Sequence, residues 1–185
     1  NHKIPDDLMS QMRSSVIIAG ALLSRSKKVT FTYPGGCDIG SRPIDLHLKS
    51  FEKLGVNVKE EFGELICKAD EIVGTDIHLD FPSVGATENI MLAAVCSRGV
   101  TTITNAAREP EISDLADFLN SCGAKITGAG ETTIYIEGVR TLGGTQHIII
   151  PDRIVTSTYM ACTAVCGGKL FLKGALQSHS GSVNS

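Results

Sequence analysis

Residues 34–47 read PGGCDIGSRPIDLH, a segment with three glycines, one cysteine and one arginine within fourteen residues. It follows a β-like run from Val29 to Tyr33 and precedes a helix-like run. Glycine adopts positive φ without steric cost, so Gly35 and Gly36 would let a bound anion or substrate approach the main chain. The pattern predicts a turn-rich loop between a strand and a helix, with Cys37 at its tip.

Cys37 has two interpretations. Arg42 lies five residues further on, and a nearby cation lowers the pKa of a thiol, which favours a nucleophile or a proton carrier. Asp38, next to the cysteine, has the opposite effect. Single cysteines are also often fillers without a chemical role, and the local sequence does not separate these two interpretations.

The chain contains an internal repeat. Three helix-like segments, ending near Ser24, Cys96 and Cys166, are each followed within a few residues by a β-rich run. In the first two copies a second helix and two further strands follow, which predicts β-α-β-α-β-β units and a third copy that is only begun. The three β-rich runs are 29–32, 100–104 and 169–172.

One such unit cannot bury its sheet alone. We therefore expect an α/β fold in which the repeats stack around a shared centre, with helices inside and sheets outward. The spacing of Leu8, Met12 and Ile17 predicts one continuous helix from residues 5–7 to Leu22 or Leu23. Residue 45 is an aspartate at the expected start of the next helix, where it would serve as an N-cap.

Composition excludes several classes of function. The net charge is −3, the pI is near 5.9, and the chain has no clustered basic tract, so binding to nucleic acid or to a membrane surface is not expected. The sequence has no run of eighteen apolar residues, and residues 1–7 lack the apolar core of a signal peptide. We expect a cytoplasmic protein.

The six cysteines are expected to be reduced thiols, because a chain of 185 residues can bury a core without disulfides. Cys162 and Cys166 lie four residues apart on a predicted helix. That spacing would let both face one metal ion, but buried filler is the favoured interpretation because no second ligand pair is near in sequence. Cys67, Cys96 and Cys122 are also expected to be fillers.

The segment 34–47 resembles the active-site loop of the UDP-N-acetylglucosamine 1-carboxyvinyltransferases, which belong to the enolpyruvyl transferase family. Residues 81–91 (FPSVGATENIM), 105–112 (NAAREPEI) and 151–154 (PDRI) are similar to that family in the same order. The resemblance extends to about Gly174. It implies an inside-out α/β barrel with a cysteine-loop domain at 1–151, containing an incomplete first unit and two further repeats. The start of a second domain would follow at 152–185.

The resemblance also implies an activity. Enzymes of this family transfer the enolpyruvyl group from phosphoenolpyruvate to the 3-hydroxyl of UDP-N-acetylglucosamine and release phosphate, the first committed step of peptidoglycan synthesis. The chemistry uses no cofactor and no metal, and it serves cell wall biogenesis, cell shape and cell division. Three family site residues, a lysine, an arginine and the general-base aspartate, match nothing in residues 1–185, so we expect this chain to turn over no substrate alone.

By the same resemblance, Cys37 protonates the methylene carbon, holds a covalent adduct and is the target of the antibiotic fosfomycin. Some family members carry a lysine where Phe81 stands, so the diphosphate contact of that lysine is not expected here. Arg42 is expected to contact the phosphate of phosphoenolpyruvate and the nucleotide sugar, and Arg13 to line the site from the first helix. The other expected substrate-binding residues are Pro43, Ile44, Asp45 and Leu46 for the uridine, and Ser83, Val84 and Gly85 for the diphosphate.

Several alternatives stay open. Arg13 and Arg42 have the simpler interpretation of solvated charges, and Glu109 and Arg153 that of ion-pair partners. His47 is either a loop histidine with satisfied hydrogen bonds or a minor contributor to the site. The function alternatives are a shikimate-phosphate enolpyruvyl synthase, a non-catalytic binding module of the same fold, and a thiol redox protein. The last is disfavoured because no Cys-x-x-Cys motif exists.

Overall fold

A computed structural model describes residues 2–36 and 44–179 of the chain. The chain divides into two compact units, Asn1–Gln146 and His147–Ser185. The helices of the first unit are α1 (Asp6–Gln11), a 3-10 helix (Arg13–Ile17), α2 (Ile18–Ser26), α3 (Asp45–Lys53), α4 (Val84–Ala94) and α5 (Pro110–Ser121). Its strands are β1 (Lys28–Thr32), β2 (Asn57–Glu61), β3 (Glu64–Lys68), β4 (Asp76–His78), β5 (Val100–Thr104), β6 (Lys125–Thr127) and β7 (Thr133–Glu137).

The predicted repeat is confirmed in the first unit. Its two sheets have the orders β1-β3-β2 and β4-β5-β7-β6, with antiparallel pairing except for the parallel pair β4-β5. The element order β4-α4-β5-α5-β6-β7 is one complete β-α-β-α-β-β unit. In the earlier copy the place of β4 is taken by Lys3, which forms an isolated parallel bridge to Thr30 of β1.

The expected arrangement of helices and sheets is also confirmed. Helix α4 lies centrally, with seven of its eleven residues buried, and it packs against α2, α3 and α5. Each sheet keeps one face inward: Ile134 and Ile136 of β7 are fully buried, whereas Tyr135 between them is half exposed. This alternation is the period-2 pattern of a sheet that covers a helical core on one side.

Helices α2 and α4 approach closely at Gly20. The main-chain amide of Gly20 donates a hydrogen bond to Oδ1 of Asn89 at 2.7 Å. A Cβ atom at this position would collide with both the main-chain and the side-chain oxygen of Asn89. The absence of a side chain at residue 20 therefore sets how near the two central helices come.

The prediction of one continuous helix from residues 5–7 to Leu22 or Leu23 is wrong. Met12 is extended, with φ −137° and ψ 129°, and separates α1 from the 3-10 helix. The main chain of the glycine segment packs at this break: Gly35 N donates to Met9 O at 3.0 Å, and a Cβ on Gly36 would collide with the carbonyl oxygen of Gln11. A tertiary contact therefore ends a helix that the apolar spacing alone would continue.

Two further expectations are corrected. Asp45 is the first residue of α3, Ile44 is its N-cap, and no side chain caps this helix. The carboxylate of Asp45 therefore acts in the first turn, where a negative charge is favourable to the helix dipole. Residues 169–172 form no strand. A strand requires a neighbour for its main-chain groups, and none of the described residues pairs with this run.

The second unit contains α6 (Arg153–Cys166) and a 3-10 turn, Gln177–His179. Asp152 caps α6 by accepting hydrogen bonds from the main-chain amides of Ile154 and Val155 at 2.8 and 3.0 Å. No residue of α6 is buried. Cys162 and Cys166 are exposed, so the expectation that they are buried fillers is wrong.

Within the described ranges, no helix is long and apolar enough to cross a membrane. The division into a cysteine-loop domain at 1–151 and a second domain from 152 stays a prediction.

Replacement of Gly20 by alanine (G20A) tests the packing of α2 on α4. The added methyl group has no space beside Asn89, so we expect a loss of about 1–3 kcal/mol in the free energy of unfolding. Urea titration followed by circular dichroism measures this loss. Gly144→Ala is the matched control, because nothing lies within 4 Å of a Cβ at that position; its effect should stay within about 0.5 kcal/mol. Equal stabilities of the two variants would contradict the proposed constraint.

Candidate functional site

A cleft of about 840 Å³ lies where the starts of four helices meet in the first unit. The 3-10 helix contributes Arg13, helix α3 contributes Asp45 and Leu46, and α4 contributes Val84 and Gly85 next to its N-cap. The full lining is Arg13, Ser14, Val16, Ile17, Asp45, Leu46, His47, Phe81, Pro82, Ser83, Val84, Gly85 and Glu109. Four parts of the chain that are distant in sequence, 13–17, 45–47, 81–85 and Glu109, therefore form one surface.

The structure brings together six of the residues expected to bind substrate: Arg13, Asp45, Leu46, Ser83, Val84 and Gly85. Their contacts with a ligand stay predictions. Ile44 is 2% exposed and belongs to the hydrophobic core, so its side chain is not available for the contact expected of it. Cys37, Arg42 and Pro43 lie outside the described residues.

The start of α4 is built as a capped helix end. Ser83 Oγ accepts a hydrogen bond from Ala86 N at 3.3 Å, and Thr87 Oγ1 donates to Ser83 O at 2.8 Å. Thr87 Oγ1 also accepts a hydrogen bond from Ala107 N at 3.1 Å, which holds the helix start against the segment before α5. Main-chain amides in the first turn of a helix have no acceptor within the helix, so they favour an anion at this end.

Phe81 lies at the edge of the cleft and is 65% exposed. Its ring supplies apolar surface at the rim of the cleft. Glu109, the N-cap residue of α5, lines the same cleft, and its Oε2 accepts a hydrogen bond from Arg108 N at 2.9 Å. The cleft therefore combines a guanidinium, two carboxylates and an aromatic ring.

His47 is the buried titratable group of the cleft. Its side chain is buried. This burial and, to a smaller extent, the positive charge of Arg13 lower the pKa of the imidazole to about 4. The ring is therefore neutral near pH 7. Its Nδ1 lies 2.9 Å from Nδ2 of Asn89.

The glycines before Cys37 have a different neighbour from the one expected. Gly36 has φ +72°, as a glycine turn predicts, but main-chain atoms of Ser10 and Gln11 occupy the space beside Gly35 and Gly36. The space beside the two glycines is therefore occupied by the end of α1 and not by a bound anion. As a result, the start of the Cys37 segment is attached to the residues that precede Arg13.

Sequence reasoning missed Asn89, which is fully buried. Its amide bonds to Gly20 N, Val16 O and His47 Nδ1, and so links α2, the 3-10 helix and α3. The available signal was that the polar residue Asn89 lies on the same helix face as the apolar residues Ala86 and Ala93, three and four residues away along α4. Such a residue needs hydrogen-bond partners when it is buried.

The cysteines of the first unit that were expected to be fillers differ in how deeply they are buried. Cys67 is fully buried, as expected of a filler, and burial raises the pKa of its thiol to about 12. Cys96 and Cys122 are partly buried free thiols. Across residues 2–36 and 44–179, no three His, Cys, Asp or Glu side chains come together as a metal site.

The sequence of the chain, compared with known proteins, gives a clear assignment. The family model described as EPSP synthase (3-phosphoshikimate 1-carboxyvinyltransferase) matches residues 1–183. The chain belongs to this family. It is 58% identical over 177 residues to UDP-N-acetylglucosamine 1-carboxyvinyltransferase 2 of Caldanaerobacter subterraneus subsp. tengcongensis, covering 96% of this chain and 42% of the relative. It is 48% identical over 184 residues to UDP-N-acetylglucosamine 1-carboxyvinyltransferase 1 of Staphylococcus aureus strain N315, covering 99% and 44%.

Solved structures of the family share the fold. The enolpyruvyl transferase NikO from Streptomyces tendae superposes with a TM-score of 0.71 at 24% identity, covering 84% of this chain and 37% of that protein. An EPSP synthase from Acinetobacter baumannii gives a TM-score of 0.63 at 20% identity, covering 84% and 35%. The expected enolpyruvyl transferase fold is therefore confirmed. The chain spans about 42% of the length of the relative from Caldanaerobacter.

One carboxyl group on α4 has a shifted pKa. Glu88 is partly buried on the helical turn that follows Gly85. This burial and, to a smaller extent, the negative charge of Glu111 raise the pKa of its carboxyl group to about 7. The protonated form of Glu88 stabilises the folded state at acid pH. That stability is fully present below the unfolded pKa near 4.5 and is lost as the pH rises through about 7.

Replacement of Glu88 by glutamine (E88Q) removes this titration. Relative to the parent chain, we expect E88Q to be more stable at pH 8 than at pH 5 by about 1 kcal/mol, a value reduced for solvent screening of the partly exposed group. Urea titrations at the two pH values measure the difference. Glu131→Gln, at an exposed glutamate, is the control. If E88Q and the parent show the same pH dependence, the assignment is wrong.

Proposed function

We propose that this chain supplies the cysteine-loop part of an enolpyruvyl transferase site. The reaction moves the enolpyruvyl group of phosphoenolpyruvate to the 3-hydroxyl of UDP-N-acetylglucosamine. The observation that carries the proposal is the shared cleft of Arg13, Asp45, Leu46 and the start of α4. Ile44 directly precedes the cleft-lining residues Asp45 and Leu46. Cys37 and Arg42 lie only eight and three residues before Asp45 in sequence, which supports the proposal.

The cleft suits the uracil and the diphosphate of a nucleotide sugar. A diphosphate carries negative charge, and the first-turn amides of α4 together with the Arg13 guanidinium favour such a group. The start of α3 offers main-chain groups of Asp45 and Leu46 for the uracil. The exposed ring of Phe81 adds apolar surface at the rim.

The chemistry requires an acid, a base and cations. The sugar hydroxyl adds to C2 of phosphoenolpyruvate while a proton adds to the methylene carbon. Loss of phosphate, and of one proton from the new methyl group, then restores the double bond. Cys37 is proposed as the proton donor, and Arg13 and Arg42 as the cations that stabilise phosphate and carboxylate oxygens.

The comparisons favour this substrate over shikimate phosphate. The relatives at 48% and 58% identity are named UDP-N-acetylglucosamine 1-carboxyvinyltransferases. The EPSP synthase structure is only 20% identical and supports the fold alone. We propose a role in peptidoglycan synthesis, and through it in cell wall biogenesis, cell shape, the cell cycle and cell division, in the cytoplasm. Partners would be the two small-molecule substrates, with no nucleic acid and no membrane.

Calorimetry with UDP-N-acetylglucosamine tests the binding half of the proposal. We expect the 185-residue chain to bind the nucleotide sugar without turnover, and Arg13→Gln to weaken binding about tenfold, because it removes a charge-assisted hydrogen bond. Arg140→Gln, at an exposed arginine, serves as the control. Thermal melting verifies that each variant is folded. Equal affinities of the two variants would remove Arg13 from the site, and absence of binding by the parent would contradict the proposed function.

Mass spectrometry of the intact chain after incubation with fosfomycin tests the role of Cys37. One adduct should form at Cys37, faster when the nucleotide sugar is present, and Cys37→Ser should abolish it. Cys162→Ser, at an exposed thiol of α6, is the matched control and should leave labelling unchanged. Cys67 should not react, since burial raises the pKa of its thiol to about 12. Labelling that persists in Cys37→Ser would overturn the assignment.

A further inference from the structure

A buried amide network fixes the protonation of the histidine in the cleft. Asn89 is fully buried, and its side chain makes three hydrogen-bond contacts. Its Oδ1 accepts from Gly20 N at 2.7 Å, and its Nδ2 lies 3.0 Å from Val16 O and 2.9 Å from His47 Nδ1. The three partners belong to α2, the 3-10 helix and α3.

The two main-chain partners determine which way the amide of Asn89 points. A main-chain N–H only donates and a main-chain carbonyl only accepts, so Oδ1 must face Gly20 and Nδ2 must face Val16. Nδ2 is therefore also the atom that faces His47. Because an amide nitrogen donates, His47 Nδ1 must be the acceptor, and the ring proton must be on Nε2.

The other edge of the imidazole faces the cleft. His47 is a lining residue, and a Cβ placed on Gly85 would lie 3.5 Å from its Cε1 and 3.8 Å from its Nε2. The Nε2–H group is thus beside the first turn of α4. Within the described ranges, no group accepts a hydrogen bond from it.

We propose that His47 is a ligand-binding residue, held by Asn89 as a neutral donor whose Nε2–H binds a diphosphate oxygen of the nucleotide sugar. Asn89 is the positioning residue: it contacts no ligand and selects the tautomer that donates into the cleft. This inference rests on the proposed function for the identity of the ligand, whereas the tautomer follows from the hydrogen bonds of this chain alone.

The tautomer is tested first, without ligand. In a chain labelled with ¹⁵N-histidine, two-bond ¹H–¹⁵N correlation spectra at pH 7 should show His47 protonated at Nε2 only. Asn89→Asp replaces the donor by a carboxylate, so the His47 proton should move to Nδ1 or the ring should become doubly protonated. Asn120→Asp is the matched control, because Asn120 makes the same kind of two-sided contact, with Ile126 N and O, outside the cleft. An Nδ1–H signal in the parent chain overturns the proposal, whether or not Asn89→Asp folds.

The ligand contact is tested by a pair of substitutions. His47→Asn retains an acceptor near the Nδ1 position and removes the donor in the cleft, whereas His47→Gln retains a donor near the Nε2 position. We expect His47→Asn to weaken binding of UDP-N-acetylglucosamine and of UDP about tenfold, His47→Gln to recover part of the loss, and uridine binding to change little. His78→Asn, at a histidine outside the cleft lining, is the control.

The outcomes separate this proposal from the one it rests on. If the parent chain binds UDP-N-acetylglucosamine and His47→Asn binds it equally well, His47 is not a ligand-binding residue. If His47→Asn weakens uridine as much as UDP, the contact is not with the diphosphate. If the parent binds none of the three ligands, the proposed function and the ligand contact fail together, while the spectrum still decides the tautomer.

Discussion

The hydrogen bond between Gly20 N and Asn89 Oδ1 joins the two central helices, and the rest of the first unit depends on it. It is 2.7 Å long, and it forms only because residue 20 has no side chain. The same Asn89 amide bonds to the 3-10 helix at Val16 and to α3 at His47. The 3-10 helix, α3 and α4, which all line the cleft, are therefore positioned by the hydrogen bonds of one polar side chain in an apolar core. Such a contact is energetically acceptable because every buried polar atom of Asn89 has a partner.

Much of this architecture could be predicted from the sequence. The repeat was visible in the sequence as two β-branched runs, β1 and β5, each preceded by an apolar helix. Both patterns reflect which residues of a local segment are buried, so they can be seen without knowledge of the fold. The break at Met12 was not predictable, since its cause is the packing of Gly35 and Gly36 on α1, more than twenty residues away in sequence. The run 169–172 has strand propensity without a described partner, and propensity alone does not make a strand.

The site shows the same division between local and long-range information. The family resemblance predicted Arg13 together with the residues at the starts of α3 and α4, and all of them line the cleft. The local sequence around Arg13 would have indicated only a solvated charge. Asn89 gave only a weak signal, because a single polar residue in a helix is more often solvated than central. The shifted pKa values of His47 and Glu88 also depend on burial, a property of the fold and not of the neighbours in sequence.

The attachment of the glycine segment to α1 has a mechanical consequence. Gly35 is tied to Met9, and Arg13 follows the same helix after one extended residue. Gly35 and Arg13 are therefore both held by α1, whose Met9 is fully buried. Ile44, at the start of α3, belongs to the same hydrophobic core as Met9. The residues on either side of 37–43 are thus anchored to one packed body, which fixes the distance that this segment must span.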